Sequence, residues 1–177
     1  MNKNLVIGAA ILGVAIVATL FIDKTVSRET TAASVSSATP DFSIRDTNGK
    51  TFKLSSHKGK VVYINFFATW CGPCRQEFPE LVKLNEKYAG KDFVMVSISL
   101  DNDRTIKEVK PFAERYKAKH QVLLGDGAFE AAEKYKVEGI PANFLIGKDG
   151  KIKNSWVGFM GKDDVKKWET AINNALK

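Results

Sequence analysis

Apolar and polar positions divide the 177-residue chain into three stretches. Residues 5–22 form an apolar run broken only by Thr19 among aliphatic, aromatic and glycine residues. Residues 25–39 are rich in Ser, Thr and Ala and carry no periodicity. From 40 to 177 short apolar segments alternate with segments of helical period. Over 41–54, Phe42 and Ile44 alternate with polar residues, Asn48-Gly49 marks a turn, and Phe52 and Leu54 alternate on the return, which predicts a β-hairpin. Residues 55–60 read as loop. Residues 61–67 (Val-Val-Tyr-Ile-Asn-Phe-Phe) are almost continuously apolar, as in a central strand buried on both faces. Residues 72–88 set Phe78, Leu81, Val82 and Leu84 on one side of a helix that Pro79 should kink and Ala89-Gly90 should end. A second buried strand is predicted at 93–100, a helix interrupted by Pro111 at 104–116, a short strand at 122–124 and a short helix at 128–135. Residues 142–146 and 152–157, joined by Lys148-Asp149-Gly150, read as a hairpin. Residues 162–176 read as an amphipathic helix with Val165, Trp168, Ile172 and Leu176 on one face. The order predicts an α/β sheet with helices on both faces.

The opening run bears on where such a domain works. Its length at 1.5 Å per residue spans roughly 27 Å, close to the hydrocarbon thickness of a bilayer. Signal-peptide apolar regions are shorter, ~7–15 residues. The nearest small-x-small sites, Thr31-Ala32-Ala33 and Ser36-Ser37-Ala38, lie well past the run. Residues 1–24 are therefore expected to be an uncleaved membrane anchor, 25–39 a flexible tether, and 40–177 one domain held on the periplasmic or extracellular side. Composition adds little: 44% hydrophobic and 27% charged residues suit an ordinary globular domain. The net charge of +7 comes from Lys and Arg scattered among Asp and Glu. That is a mixed solvated surface rather than a nucleic-acid footprint, and a monomer is expected.

The chain has two cysteines, Cys71 and Cys74. This excludes a multi-disulfide scaffold and a four-cysteine zinc site within one chain. A redox pair, a mixed-ligand metal site or an incidental pair are left. Cys71 falls between a buried strand and a helix. Unpaired N–H groups and the macrodipole at a helix N-terminus stabilise a thiolate there. Gly72 lets the backbone approach, Pro73 fits the first helical turn, where its missing N–H costs nothing, and Arg75 adds a cation. Cys74, one turn on, is near enough to close a disulfide. The expected cycle has Cys71 attacking a client disulfide and Cys74 resolving the mixed disulfide. Cys74 then needs a proton acceptor. Glu77, one turn further on, is the nearest candidate, and equally could be a surface glutamate without a role.

Trp70-Cys71-Gly72-Pro73-Cys74 after a buried strand resembles the thioredoxin signature, and Pro79 resembles the proline in that family's active-site helix. Gly139-Ile140-Pro141 resembles its cis-proline loop. The resemblance implies that Pro141 shapes a client groove, that the backbone of Ile140 pairs with an extended client segment, and that Trp70 caps the site and touches the client. The apolar run, the hairpin led by Pro40-Asp41-Phe42, and Asn65-Phe66-Phe67-Ala68-Thr69-Trp70-Cys71 resemble the membrane-anchored TlpA/ResA-like branch, with 104–126 as its inserted helix–strand unit. The likeness spans about 39–177. Asn65 stands where thioredoxins carry a buried Asp, and the branch's Glu falls on Glu77, which favours that residue as proton acceptor. Ala142 replaces a common Thr after the cis-proline. Gly72-Pro73 and Ile140 resemble reducing members. The implied function is an extracytoplasmic protein-disulfide reductase with no cofactor beyond the Cys71–Cys74 disulfide and no metal. Its electron donor would be a transmembrane thiol-relay protein, and its clients apocytochromes c or envelope or spore proteins.

Three rivals remain at this level. One is an oxidase or isomerase of exported proteins. Another is a thiol peroxidase, which needs a T-x-x-C arrangement, whereas Thr69 lies two residues before Cys71. The third is a non-catalytic binding module, with metal ligation through His57 or His120 as one form of it, although both read as surface histidines. Asp101, Asp103 and Asp126 read as caps and turn residues, and Trp156 and Trp168 as packing residues.

Overall fold

The computed structural model describes residues 39–177. The hairpin forms as the alternation predicts: β1 (Ser43–Arg45) pairs antiparallel with β2 (Thr51–Lys53), with Ile44 opposite Phe52. Gly49 occupies the left-handed region at φ 80°, which the turn requires. Strand β3 (Val61–Phe67) is buried along its whole length. The active-site helix α1 (Gly72–Lys87) follows and accommodates Pro79 within its span, and Gly90, at φ 77°, ends the turn beyond it. Strand β4 is Phe93–Ser99.

The helix expected over 104–116 is shorter. A single 3₁₀ turn at Ile106–Glu108 precedes α2 (Val109–Arg115). Pro111 is the cause: its ring would clash with the carbonyl of Lys107 in a continuous α-helix. At the third position of a helix that starts at Val109, its missing N–H costs nothing. The remaining elements are β5 (Gln121–Leu123), α3 (Asp126–Lys134), β6 (Ala142–Ile146), β7 (Ile152–Val157) and α4 (Lys162–Leu176).

The main sheet has the order β5-β4-β3-β6-β7, with β3, β4 and β5 parallel and β6 and β7 antiparallel to their neighbours. Strand β3 is central, so its side chains face layers on both sides. Val62, Ile64 and Phe66 meet α3 and the hairpin through Ala128, Ala131, Phe42 and Phe52. Val61, Tyr63 and Phe67 meet α1, α2 and α4 through Leu81, Phe78, Phe112 and Trp168. The hairpin also covers the outer edge of β5: Thr47 N donates to Val122 O at 2.9 Å and Leu124 N to Arg45 O at 3.1 Å. That edge is thereby closed to pairing with another chain.

The apolar run at 5–22, and the Ser/Thr/Ala-rich stretch as far as residue 38, lie outside the described residues. Among the described residues no helix is long and apolar enough to cross a membrane.

Candidate active site

The turn from β3 into α1 carries both cysteines. Cys71 is the N-cap of α1: its N–H donates to Ala68 O at 3.1 Å, its carbonyl accepts from Arg75 N at 3.1 Å, and its sulfur accepts from Cys74 N at 3.2 Å. A sulfur held against the free N–H groups of a helix start is placed where negative charge is stabilised. Cys71 and Cys74 are joined in a disulfide, with Cα atoms 5.2 Å apart. Cys71 keeps 7% of its surface exposed and Cys74 none, so only Cys71 can be reached from outside.

Around Cys71 lie the other residues singled out from the sequence. Gly72 and Pro73 are exposed on the first turn of α1, and Trp70 stands 59% exposed beside them. The Ile140–Pro141 peptide bond is cis, and the carbonyl oxygen of Ile140 lies 3.8 Å from Cys71 Sγ. Pro141 is buried and its carbonyl accepts from Gly158 N at 2.7 Å, which ties the loop to the end of β7.

Glu77 points inward and is fully buried. Asn143 Nδ2 donates to its Oε1 at 2.7 Å and Asn65 Nδ2 to its Oε2 at 2.9 Å. Asn65 Nδ2 also donates to Asn143 Oδ1 at 3.0 Å. The ladder explains this meeting: Asn65 on β3 lies directly opposite Asn143 on β6, so both amides rise from the same face of the sheet beneath α1. Burial pushes the Glu77 carboxyl up to about 8, the two amide hydrogen bonds oppose that rise, and the charge of Asp164 adds to it. A carboxyl so tuned gains and loses its proton near neutral pH.

Sequence reasoning missed Asn143. Its signal was a lone amide inside the apolar strand Ala142–Ile146, legible only once the β3–β6 register is known. The inserted helix α2 also belongs to the site. Phe112 packs on Phe67 and Phe78 with ring centroids 5.5 and 4.8 Å apart, in the cluster that holds Cys71 and Cys74.

Two expectations are corrected. His120 is buried, not on the surface: its Nε2 lies 2.9 Å from Ser97 Oγ, and burial lowers its pKa to about 4. Asp101, read as a cap or turn residue, is instead a buried side chain that braces another turn, because the end of β4 carries it in under the active-site turn. There it accepts hydrogen bonds from Thr69 and Ser99. The Thr69 hydroxyl is thus committed to Asp101. Trp168 is fully buried, and Trp156 stacks on Tyr63 at 6.3 Å. Among the described residues, no three His, Cys, Asp or Glu side chains gather as metal ligands.

Comparison with known proteins agrees with this geometry. The family model described as Redoxin matches residues 34–172. The thiol-disulfide oxidoreductase ResA of Geobacillus thermodenitrificans is 33% identical over 157 residues, covering 89% of this chain and 85% of that protein. ResA of Bacillus thuringiensis is 37% identical over 129 residues, covering 73% of each. A crystal structure from Chlorobium tepidum, assigned as thiol:disulfide interchange protein DsbE, superposes with a TM-score of 0.71 at 36% identity, covering 79% of this chain and 96% of that one. With a strand-to-helix Cys71–Cys74 disulfide at its centre, the chain belongs to the Redoxin family and is a thioredoxin-fold, ResA-like thiol–disulfide oxidoreductase.

Proposed function

We propose that the protein reduces disulfides of client proteins outside the cytoplasm, apocytochromes c among them, and that Cys71, Cys74 and Glu77 carry the reaction. The observation that carries the mechanism is the asymmetry of the pair: an accessible Cys71 sulfur at a helix start, and a sealed Cys74 one turn before a buried, amide-held Glu77. In the reduced protein the Cys71 thiolate attacks a client sulfur. The client S–S bond breaks, its second sulfur leaves as a thiolate, and a mixed disulfide forms. Cys74 then gives its proton to the Glu77 carboxylate and attacks Cys71 Sγ. The first client sulfur is released, and the Cys71–Cys74 disulfide is left. Two electrons pass to the client, and an external dithiol must return them.

Client binding falls to the surface around Cys71. Trp70, Gly72 and Pro73 offer an open apolar platform, and the Ile140 carbonyl, beside Cys71, is placed to accept from an extended client backbone. Pro141 holds that loop in place. The reducing direction is supported by Gly72-Pro73 and Ile140, which resemble reducing thioredoxins. An exported site is supported by the apolar run 5–22. A membrane thiol-relay donor follows from that placement, since a reductase outside the cytoplasm has no soluble dithiol pool to draw on.

The test is to replace Cys74 with Ser in the full chain, so that the mixed disulfide cannot resolve, and to identify what stays bound to Cys71. Capture of a membrane thiol-relay protein and of haem-binding apoproteins supports the reading. Capture chiefly of newly exported proteins that end up oxidised reverses the direction, and no capture removes thiol exchange altogether.

A further inference from the structure

Asp101 stands out among the buried charges because its carboxylate side-chain bonds all come from residues at the end of β4 or in the turn before Cys71. It is 1% exposed. Its Oδ2 accepts the Thr69 N–H at 2.9 Å and the Ser99 hydroxyl at 2.6 Å, while its Oδ1 accepts the Thr69 hydroxyl at 2.5 Å. Thr69 is therefore gripped by both oxygens, through backbone and side chain at once. The carboxylate is itself fixed: the backbone N–H of Asp101 donates to Ser99 Oγ at 3.1 Å, and Leu100 N donates to Phe67 O at 2.7 Å, which keeps the ends of β4 and β3 side by side.

The segment so gripped is the irregular link between β3 and α1. Thr69 is two residues from the attacking sulfur, at most ~7 Å along the backbone, and one residue from the exposed Trp70. Burying a carboxylate is costly unless donors surround it, and an apolar residue would fill this space at lower cost. A grip of this kind on the backbone and side-chain donors of one residue is expected where a turn must hold one conformation.

We propose that Asp101 is a positioning residue for the disulfide exchange: by clamping Thr69 it holds the Trp70–Cys71 turn in the orientation in which a protein client docks. The inference rests on the disulfide-exchange reading above. It commits Asp101 to presenting the docking surface, not to activating the thiol.

The experiment uses the full chain, insulin as protein disulfide and dithiothreitol as electron source. Asp101→Ala, Asp101→Asn, Thr69→Val and Thr69→Ser are compared for kcat and KM. Alkylation of Cys71 by iodoacetamide, at a pH where the thiol is fully ionised, is followed in a Cys74→Ser background. Asp101→Ala is expected to raise the KM for insulin about tenfold or more, since small misplacements at a reacting site cost on the order of 10–100-fold. Alkylation, which needs no docking, is expected to stay within about twofold. Asp101→Asn keeps one carbonyl acceptor and falls between, still more than about twofold above the wild type. Thr69→Val loses one of the two bonds, and Thr69→Ser lies nearer the wild type than Thr69→Val.

A folded Asp101→Ala or Asp101→Asn protein whose KM stays within about twofold of wild type overturns the proposal. So does a KM and an alkylation rate that change in step, the mark of general loosening. Where Asp101→Ala does not fold, Asp101→Asn and Thr69→Val carry the same comparison. Failure of the wild-type protein to reduce insulin would count against the exchange reading itself, independently of Asp101.

Discussion

The two faces of β3 are built from one strand and do opposite things. Val62, Ile64 and Phe66 join Val96, Ile98, Leu123 and Phe144 of the neighbouring strands in an apolar cluster covered by the alanines of α3 and by Phe42 and Phe52 of the hairpin. Tyr63, Asn65 and Phe67 point to the face under α1. There a row of buried polar residues crosses the sheet, from Asn143 through Asn65 to Ser97, which lies opposite Asn65 in the β3–β4 register. Glu77 hangs over one end of the row, and His120 meets Ser97 at the other. The first face is a stabilising core. The second gives up part of that stability to keep a carboxyl and an imidazole out of water, where their proton affinities move most.

The largest expected effect falls on the apolar face. Phe66→Ala leaves a cavity beneath α3 and should lower stability by about 3–5 kcal/mol. Denaturant midpoints would show it, while the exchange rate per folded molecule stays unchanged. If exchange by the folded fraction also fell, the faces would not be functionally separate.

Next comes Glu77→Gln, which keeps the size of the side chain and removes its titration. Resolution of the mixed disulfide should slow about 10²-fold, and the limb of the rate profile near pH 8 should vanish. Its stability should move the other way. The folded protein holds the Glu77 proton up to about pH 8, against an ordinary value of 4.5. That contribution is full below the ordinary value and is lost as pH rises through 8. The glutamine protein should therefore gain on the wild type between pH 5 and 9, by on the order of a few kcal/mol. A constant difference in melting temperature across that range would contradict the titration.

The smallest effect belongs to the other end of the row. His120 is held neutral to about pH 4, against an ordinary 6.5. Its contribution to stability is present above pH 6.5 and is lost as pH falls toward 4. Replacing the pair by Ser97→Ala with His120→Phe, so that no hydroxyl is orphaned, should flatten this acid limb by about 1–3 kcal/mol at pH 4. Unchanged acid denaturation would mean that the imidazole finds solvent.

Much of the architecture was legible from one chain. The unbroken apolar run of β3, the period of α1 and α4 and the Asn48-Gly49 turn are local signals, and each element formed where its pattern lay. The inserted helix was misjudged in length because Pro111 can restart a helix as well as break one. The cysteine pair and the proline opposite were legible because their residue types are rare and their spacing is short. Asn143, Asp101 and His120 were not. Each is a common polar residue whose meaning depends on a partner far along the chain: Asn65 and Glu77, Thr69, and Ser97.

The sequence by itself determined the order of elements, the position of Cys71 at a helix start and the chemistry a thiol pair can do there, since these depend on neighbours within a turn or two. Only the tertiary structure decided how far Glu77 is lifted and what holds the turn before Cys71. Burial and proton affinity depend on the packing of β4, β6 and α2 around that turn, and strand register is not written in any one segment.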